Sequence, residues 1–280
     1  MPFLQDTLGD RMKSYENVER KYLIHRMPVI LRLDGRAFHT FTRGFQKPFD
    51  SVFRTAMERT MLYLCENIQG CVLGYQQSDE ISLVLTDYKK LNTSAWFEYN
   101  VQKCVSIAAS MASIAFNKYF REEVEKWRWK NLPVNDEDTL LALSGDEVSK
   151  NLKQYQIYIS KFDTATFDAR IFNIPFSEVT NCIYWRQLDA SRNSILSLGQ
   201  AYFSHNDLHG KSCADIQDML VLDKKVNWND LPTYEKRGSC ARRVESDSSP
   251  RPKWEVDHDI PIFKADGRTY IEDTFNFLED

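Results

Sequence analysis

The sequence has no apolar run approaching the roughly 20 residues that a membrane-spanning helix needs. Its first eleven residues lack the apolar core of a secretory signal. It has no Cys-x-x-Cys pair: Cys65, Cys71, Cys104, Cys182, Cys213 and Cys240 are scattered, several of them inside apolar patterns. Such cysteines read as reduced, mostly buried thiols, and the chain as cytoplasmic and without a membrane partner. His205, His209 and Cys213 fall at helical spacing, but no fourth ligand stands near them to complete a zinc site. There is no surplus of positive charge either. Thirty-six Lys and Arg against 40 Asp and Glu give −4. That excludes a generic polycation but not a nucleic-acid ligand, because such binding follows local basic patches.

What is present suffices for a packed core: 280 residues, 42% hydrophobic and 27% charged, enough for one large domain or two small ones. The stretch Val29-Ile30-Leu31-Arg32-Leu33-Asp34-Gly35-Arg36-Ala37-Phe38-His39 opens as a short branched apolar run and ends on an acid, a glycine and a base. The run suits a buried strand that carries Asp34 to a sheet edge. Gly35, having no Cβ, lets the backbone pass close to an ion or phosphate. The competing reading is an ordinary Asp-Gly hairpin turn.

After a loop marked by Gly44 and Pro48, the spacing of Phe53, Met57, Met61, Leu64 and Ile68 predicts an amphipathic helix, stopped by Gly70. Two apolar runs, 71–75 and 81–85, flank Gln76-Gln77-Ser78-Asp79-Glu80 and predict a hairpin with a polar tip. A second helix is expected over 94–120, with small residues Ala108, Ala109, Ala112 and Ala115 on its packing face. With a last strand over 169–174, the order becomes strand, helix, strand, strand, helix, strand. That is the α+β pattern of a ferredoxin-like polymerase palm, a split βαβ whose antiparallel sheet carries helices on one face. The first strand then lies centrally, and Asp34 and Asp79 converge.

The remainder reads as additions to that unit. The first 27 residues alternate in charge sign and predict an exposed helix. Residues 121–166 read as a surface insertion, with one strand at 156–160 and an acidic, loop-like stretch at Asn135–Asp138. Its Lys126-Trp127-Arg128-Trp129-Lys130 run reads as surface packing, with base stacking the sharper alternative. A long helix is expected after Pro175 and another over 212–222. Lys236 to Lys253 is the most basic stretch, and the acidic tail from Trp254 reads as loosely held. The domain division is therefore 1–175, palm-like and catalytic, and 176–280, helical and basic.

Two carboxylates on neighbouring strand ends, with a glycine carbonyl beside them, are able to hold two hard divalent cations about 3.5–4 Å apart. Oxygen ligands without nearby His or Cys favour magnesium. Arg32, Arg36, Arg43, Lys47 and Lys103 are candidate phosphate partners. The chemistry indicated is nucleotidyl transfer. A nucleotide cyclase uses similar paired acids and is the remoter alternative.

Several motifs in sequence order sharpen this reading. Arg32 to His39, Lys47-Pro48-Phe49-Asp50, Gln77-Ser78-Asp79-Glu80, Phe167-Asp168-Ala169-Arg170, Trp185-Arg186-Gln187, and Leu231-Pro232 with Tyr234 and Lys236-Arg237-Gly238, together resemble the tRNA-histidine guanylyltransferase superfamily. The resemblance implies a polymerase-like palm that adds nucleotides to a tRNA 5′ end in the 3′-to-5′ direction, using ATP and GTP or other nucleoside triphosphates. Carried over by residue, it implies that Asp34, Asp79 and the carbonyl of Gly35 bind two magnesium ions, with Glu80 an adjacent catalytic acid. Asp34, Gly35, Arg36, Ala37, Phe38 and His39, with Ser78 and Asp79, hold the nucleotide, and Lys47 and Lys103 lie near it. Arg170, Asn193, Lys236 and Arg237 are tRNA contacts. The C-terminal region serves tRNA contact and oligomerisation, as a homo-tetramer. A purely tRNA-binding module, by contrast, needs neither Asp34 nor Asp79. One departure bears on the substrate. Eukaryotic members carry His-x-Asn-Asn where this chain has Ser191-Arg192-Asn193-Ser194. That pattern resembles the bacterial and archaeal guanylyltransferase-like proteins, which implies template-dependent repair of tRNA 5′ ends. Addition of a single G to tRNA(His) is the alternative.

Overall fold

Alternation along the strands decides which side of the sheet each residue buries. In β1 (Val29–Gly35), Val29, Leu31 and Leu33 enter one core and Ile30 the other. The computed structural model describes residues 7–132, 146–246 and 249–276. The helix expected in the first 27 residues is α1 (Leu8–Asn17), which buries none of its residues. After β1 come α2 (Phe38–Phe41), α3 (Ser51–Asn67), β2 (Cys71–Gln77), β3 (Glu80–Leu85) and α4 (Val101–Asn131). They are followed by α5 (Asp146–Ile159), β4 (Phe167–Asn173), α6 (Val179–Tyr202), α7 (His205–Leu208), α8 (Cys213–Met219) and α9 (Thr233–Arg237). The chain then adds β5 (Ser239–Ser246), β6 (Ser249–Asp257) and α10 (Thr269–Phe275).

The strands form one antiparallel sheet in the order β4-β1-β3-β2-β5-β6. β1 is central to the palm strands, as its apolar sequence requires. On one face α3 and α4 pack through Met57, Met61, Ala108 and Ala112. Phe38, Phe41, Phe45, Phe116, Phe120 and Phe167 extend that core, with ring centroids 4.9–5.7 Å apart. The palm helices thus occupy one face, as the sequence pattern implies. The other face is closed by α6 and α10, which bury Val179, Ile183, Ile271 and Phe275 against Ile30, Leu73 and Val84.

Four expectations are corrected. Residues 156–159 belong to a helix rather than a strand, and Ser160 to the turn after it. Val148, Leu152, Tyr155 and Ile159 recur at helical spacing along α5, and the alternation of Ile157 and Ile159 is only its final turn. Helix α4 does not stop at 120, because Phe116, Phe120 and Val124 continue the buried face to Asn131. Trp127 consequently packs on Tyr158 (5.4 Å between ring centroids) and is not a base-stacking surface. The C-terminal region is not wholly helical. β5 and β6 cover the edge that β2 otherwise leaves unpaired, so the sheet runs across the division expected at 175. The acidic tail is anchored, with Ile260, Phe263, Ile271 and Phe275 fully buried. The acidic stretch Asn135–Asp138 lies outside the described residues.

Candidate active site

Asp34 sits near the end of β1, opposite Glu80 of β3 and Asp168 of β4. The β2–β3 hairpin turns at Ser78-Asp79, with Ser78 in the left-handed region at φ 49°. Its tip folds onto β1 through the Gly35 N–H, which donates to the Asp79 carbonyl (3.0 Å). Gly35 is demanded by packing: a Cβ there would lie 2.3 Å from the Phe38 ring. These backbone constraints bring the two carboxylates together. Burial pushes the Asp79 carboxyl above the usual aspartate range, and the negative charge of Asp34 pushes it further. Among the described residues neither acid has an ion-pair partner.

Glu80, one residue beyond Asp79, has the opposite surroundings. It is buried, and its Oε1 accepts from Arg186 Nε (2.7 Å). Arg186 also donates to Asp189 (2.8 Å), and Asp189 accepts from Arg192 (2.6 Å). Burial raises the Glu80 carboxyl and Arg186 opposes that rise.

A cavity of about 560 Å³ opens beside Asp34 and Asp79. Ala37, Phe38, His39 and Ser78 join the two acids on its palm side. The loop before α3 supplies Lys47 and Asp50, and α3 itself supplies Phe53 and Arg54. Asp50 caps α3, accepting from the backbone N–H groups of Phe53 (2.9 Å) and Gln46 (3.0 Å) and from the Tyr158 hydroxyl (2.7 Å). The arrangement pushes the Tyr158 phenol well up, by burial first and then by the Asp50 charge. Helix α6 presents Ala190, Asn193, Ser194, Ser197 and Gln200 to the far wall. Tyr234, Glu235 and Gly238 close the remaining side. Arg54 lies 4.5 Å over the Tyr234 ring and pairs with the buried Glu58 (2.9 Å), which also contacts His258 (2.9 Å). Two unneutralised carboxylates, with a lysine and an arginine across a half-open cavity, suit a polyphosphate bound through a divalent cation.

A family model for tRNAHis guanylyltransferase (Thg1) matches residues 9–175. The chain belongs to this family. It is a nucleotidyltransferase of the tRNAHis guanylyltransferase type. Among solved structures, a bacterial tRNA(His) guanylyltransferase (Thg1)-like protein in complex with ATP is similar at 41% identity and a TM-score of 0.80, covering 97% of this chain and 100% of that one. Another, in complex with GTP, is similar at 40% identity and 0.73, covering 95% and 97%. A probable tRNA(His) guanylyltransferase from Dictyostelium discoideum is 26% identical over 274 residues, 93% of this chain and 89% of that protein. Membership in this family favours nucleotidyl transfer over the cyclase reading.

Within this family member, Asp34, Gly35, Ala37, Phe38, His39, Lys47, Ser78, Asp79 and Asn193 of the expected set all reach the cavity. Others do not. Glu80 lies behind it, bound to Arg186. Arg36 is exposed outside the lining, and its N–H donates to the Thr166 carbonyl (2.9 Å). Lys103 begins α4, with its ammonium 5.4 Å from the centroid of Phe97. Arg32 faces Trp185 at 5.7 Å. Arg170 is on the edge strand, 3.6 Å from Asp168. Lys236 and Arg237 lie in α9, next to the wall residue Tyr234. The Lys236 ammonium donates to the Asn229 carbonyl (2.6 Å), and the Arg237 carbonyl accepts from Tyr75 (2.7 Å).

The sequence reading missed the α6 wall apart from Asn193, missed Arg54 and Tyr158, and gave Tyr234 no place at the cavity. A signal exists for the first: Ala190, Asn193, Ser194 and Ser197 are small or polar at helical spacing along one side of the helix. Nothing in the sequence joins Tyr158 to Asp50 across 108 positions.

Proposed function

We propose that the protein is a template-dependent 3′-to-5′ nucleotidyltransferase that rebuilds truncated tRNA 5′ ends from ATP, GTP and the other nucleoside triphosphates. The observation that carries this reading is the α6 wall. Ser191-Arg192-Asn193-Ser194 replaces the His-x-Asn-Asn of the eukaryotic identity enzymes, and Asn193 and Ser194 face the acids across the cavity. The 40–41% identity to bacterial Thg1-like proteins in complex with ATP and with GTP supports it. Histidine-tRNA guanylylation is the second reading, favoured by the similarity to probable tRNA(His) guanylyltransferases such as that of Dictyostelium discoideum.

The donor set fits magnesium. Among the described residues no group of three His, Cys, Asp or Glu side chains gathers to cage a metal. Asp34, Asp79 and the Gly35 carbonyl would be the protein's share, and phosphate oxygens and water would supply the rest, as magnesium prefers. When bound, the ions polarise the attacked phosphorus and neutralise the leaving group. The chain's own residues then orient the reactants. Lys47 and Arg54 draw the triphosphate into the cavity. The α6 wall presents polar groups to the nucleotide and the acceptor end. On a 5′-monophosphate end, ATP first adenylates the phosphate and pyrophosphate leaves. The 3′-hydroxyl of the incoming nucleotide then displaces AMP, and pyrophosphate is removed from the new end. A triphosphorylated end bypasses the first step. The assembly is proposed to be a homo-tetramer, with α9 and Arg170 contributing tRNA contacts.

The test is nucleotide addition with magnesium and all four nucleoside triphosphates on two labelled substrates, full-length tRNA(His) and a non-histidine tRNA lacking its first nucleotide. Restoration of the truncated end according to the opposing base is the expected result. A single G added only to tRNA(His) would overturn the repair reading in favour of the second.

A further inference from the structure

The hairpin strand β2 ends in Gln77, beside the acids at the hairpin tip. Gln77 is 5% exposed yet lines the cavity. Its Oε1 is buried and is one of three buried side-chain polar atoms, among the described residues, with no hydrogen-bond partner. Such a group is destabilising unless something satisfies it. Its neighbours do not: Gln76 Nε2 donates to the Ser78 carbonyl (2.8 Å), and Gln76 Oε1 contacts the Ser239 hydroxyl (3.4 Å). Burial of Gln77 comes from the far end of the chain. Gly238 packs on it so closely that a Cβ there would lie 3.2 Å from the Gln77 Cβ and 2.3 Å from the Gln76 carbonyl oxygen.

Register fixes where this acceptor stands. Gln77 is opposite Glu80, and Glu80 is opposite Asp34, so the three share one face of the sheet. Two strand spacings put Gln77 roughly 10 Å from Asp34, within the length of one nucleotide whose phosphates lie at the acids. A carboxamide oxygen accepts but does not donate, so it is no partner for phosphate oxygens. It needs a hydroxyl or an amino group.

We propose that Gln77 is a specificity-determining residue whose Oε1 accepts a hydrogen bond from a ribose hydroxyl of the bound nucleotide. The choice of hydroxyl over base rests on the templated reading above. An enzyme that accepts all four nucleotides must hold what they share, and of the shared groups only the sugar donates. Where the donor is the 2′-hydroxyl, Gln77 thereby selects ribonucleotides over 2′-deoxyribonucleotides.

The experiment measures Kd of the full chain with magnesium, in the absence of tRNA, for GTP, 2′-deoxy-GTP, 3′-deoxy-GTP and ITP. Wild type is compared with Gln77→Met, Gln77→Asn and Gln77→Glu, with Tm recorded for each. One hydrogen bond corresponds to about tenfold, so wild type should bind one deoxy analogue about tenfold more weakly than GTP. Gln77→Met should bind the two alike. Gln77→Asn, which withdraws the acceptor by one methylene, should do the same and serves if the Met variant does not fold. Gln77→Glu retains an acceptor and should keep the discrimination, even if its added charge weakens every nucleotide. Unchanged discrimination in folded Gln77→Met or Gln77→Asn would overturn the proposal and leave the acceptor to water. If instead ITP alone is discriminated by wild type and not by the variants, the donor is the guanine amino group and the ribose assignment fails. Because no tRNA is present, failure of templated repair and failure of this assignment are read separately.

Discussion

Asp79 and Glu80 are adjacent in sequence, and their carboxylates have opposite surroundings. Asp79 lies at the hairpin tip beside Asp34, and neither carboxylate has an ion-pair partner among the described residues. Glu80 begins β3 and is buried in a chain of alternating charges through Arg186, Asp189 and Arg192. Local charge is therefore left uncompensated at the cavity and fully compensated one residue behind it. An acid kept without a partner is available to a ligand, whereas an acid already paired and buried fixes the frame on which the first is held.

The largest expected effect tests the uncompensated side. Asp79→Ala or Asp34→Ala should abolish nucleotide addition, by more than about 10³-fold, beyond the loss of a single oxyanion-stabilising donor. tRNA affinity should stay near wild type. Measurable activity in either variant would dissolve the contrast between the two acids. The compensated side should respond in stability instead. Arg186→Met leaves Glu80 buried without its partner and should cost about 3–5 kcal/mol, seen as a lower denaturation midpoint. Adding Glu80→Gln should restore part of that loss. A double variant no more stable than Arg186→Met would mean that Glu80 is not the group left stranded.

A smaller effect tests how the cavity loop is held. Tyr158→Phe keeps the aromatic packing and removes one bond to Asp50, worth about 1–1.5 kcal/mol. The KM for nucleoside triphosphates should rise severalfold while the KM for tRNA stays unchanged, because the bond removed is the one that ties α5 to the loop carrying Lys47 and Asp50. Equal shifts in both constants would make Tyr158 a general packing residue.

The smallest effect is in the metal-free protein. The raised Asp79 carboxyl means that the folded state holds this proton more tightly than the unfolded chain. Its stabilising contribution is present at low pH and is lost as pH rises from the ordinary aspartate range through the folded value. Asp79→Asn removes that loss and should raise the metal-free Tm at neutral pH by about 2–4 °C, even as it eliminates activity. A fall in Tm would show that Asp79 is already satisfied without a cation.

Much of the palm was legible in the sequence. The strand ending in Asp34, the hairpin tip at Ser78-Asp79 and the apolar face of α3 each follow from local periodicity and turn chemistry. The errors lie where local pattern is silent. The last turn of α5 imitates a strand because two isoleucines alternate there. The tail after Trp254 is acidic overall, yet Phe263, Ile271 and Phe275 are spaced to close the second face of the sheet. Lys103 and Arg36 have the charge of phosphate ligands, but charge does not say where a side chain ends up.

The sequence by itself determined that a carboxylate ends a central strand, that a second acid tips the neighbouring hairpin, and that motifs of one nucleotidyltransferase family recur in order. These are local properties, set by backbone preference and side-chain period over a few residues. Only the tertiary structure decided that Glu80 is paired while Asp79 is not, that α6 walls the cavity, and that Gly238 buries Gln77. Each of these joins segments about 100 or more positions apart, and such contacts are selected by packing and charge compensation across the whole sheet rather than by any short stretch of chain.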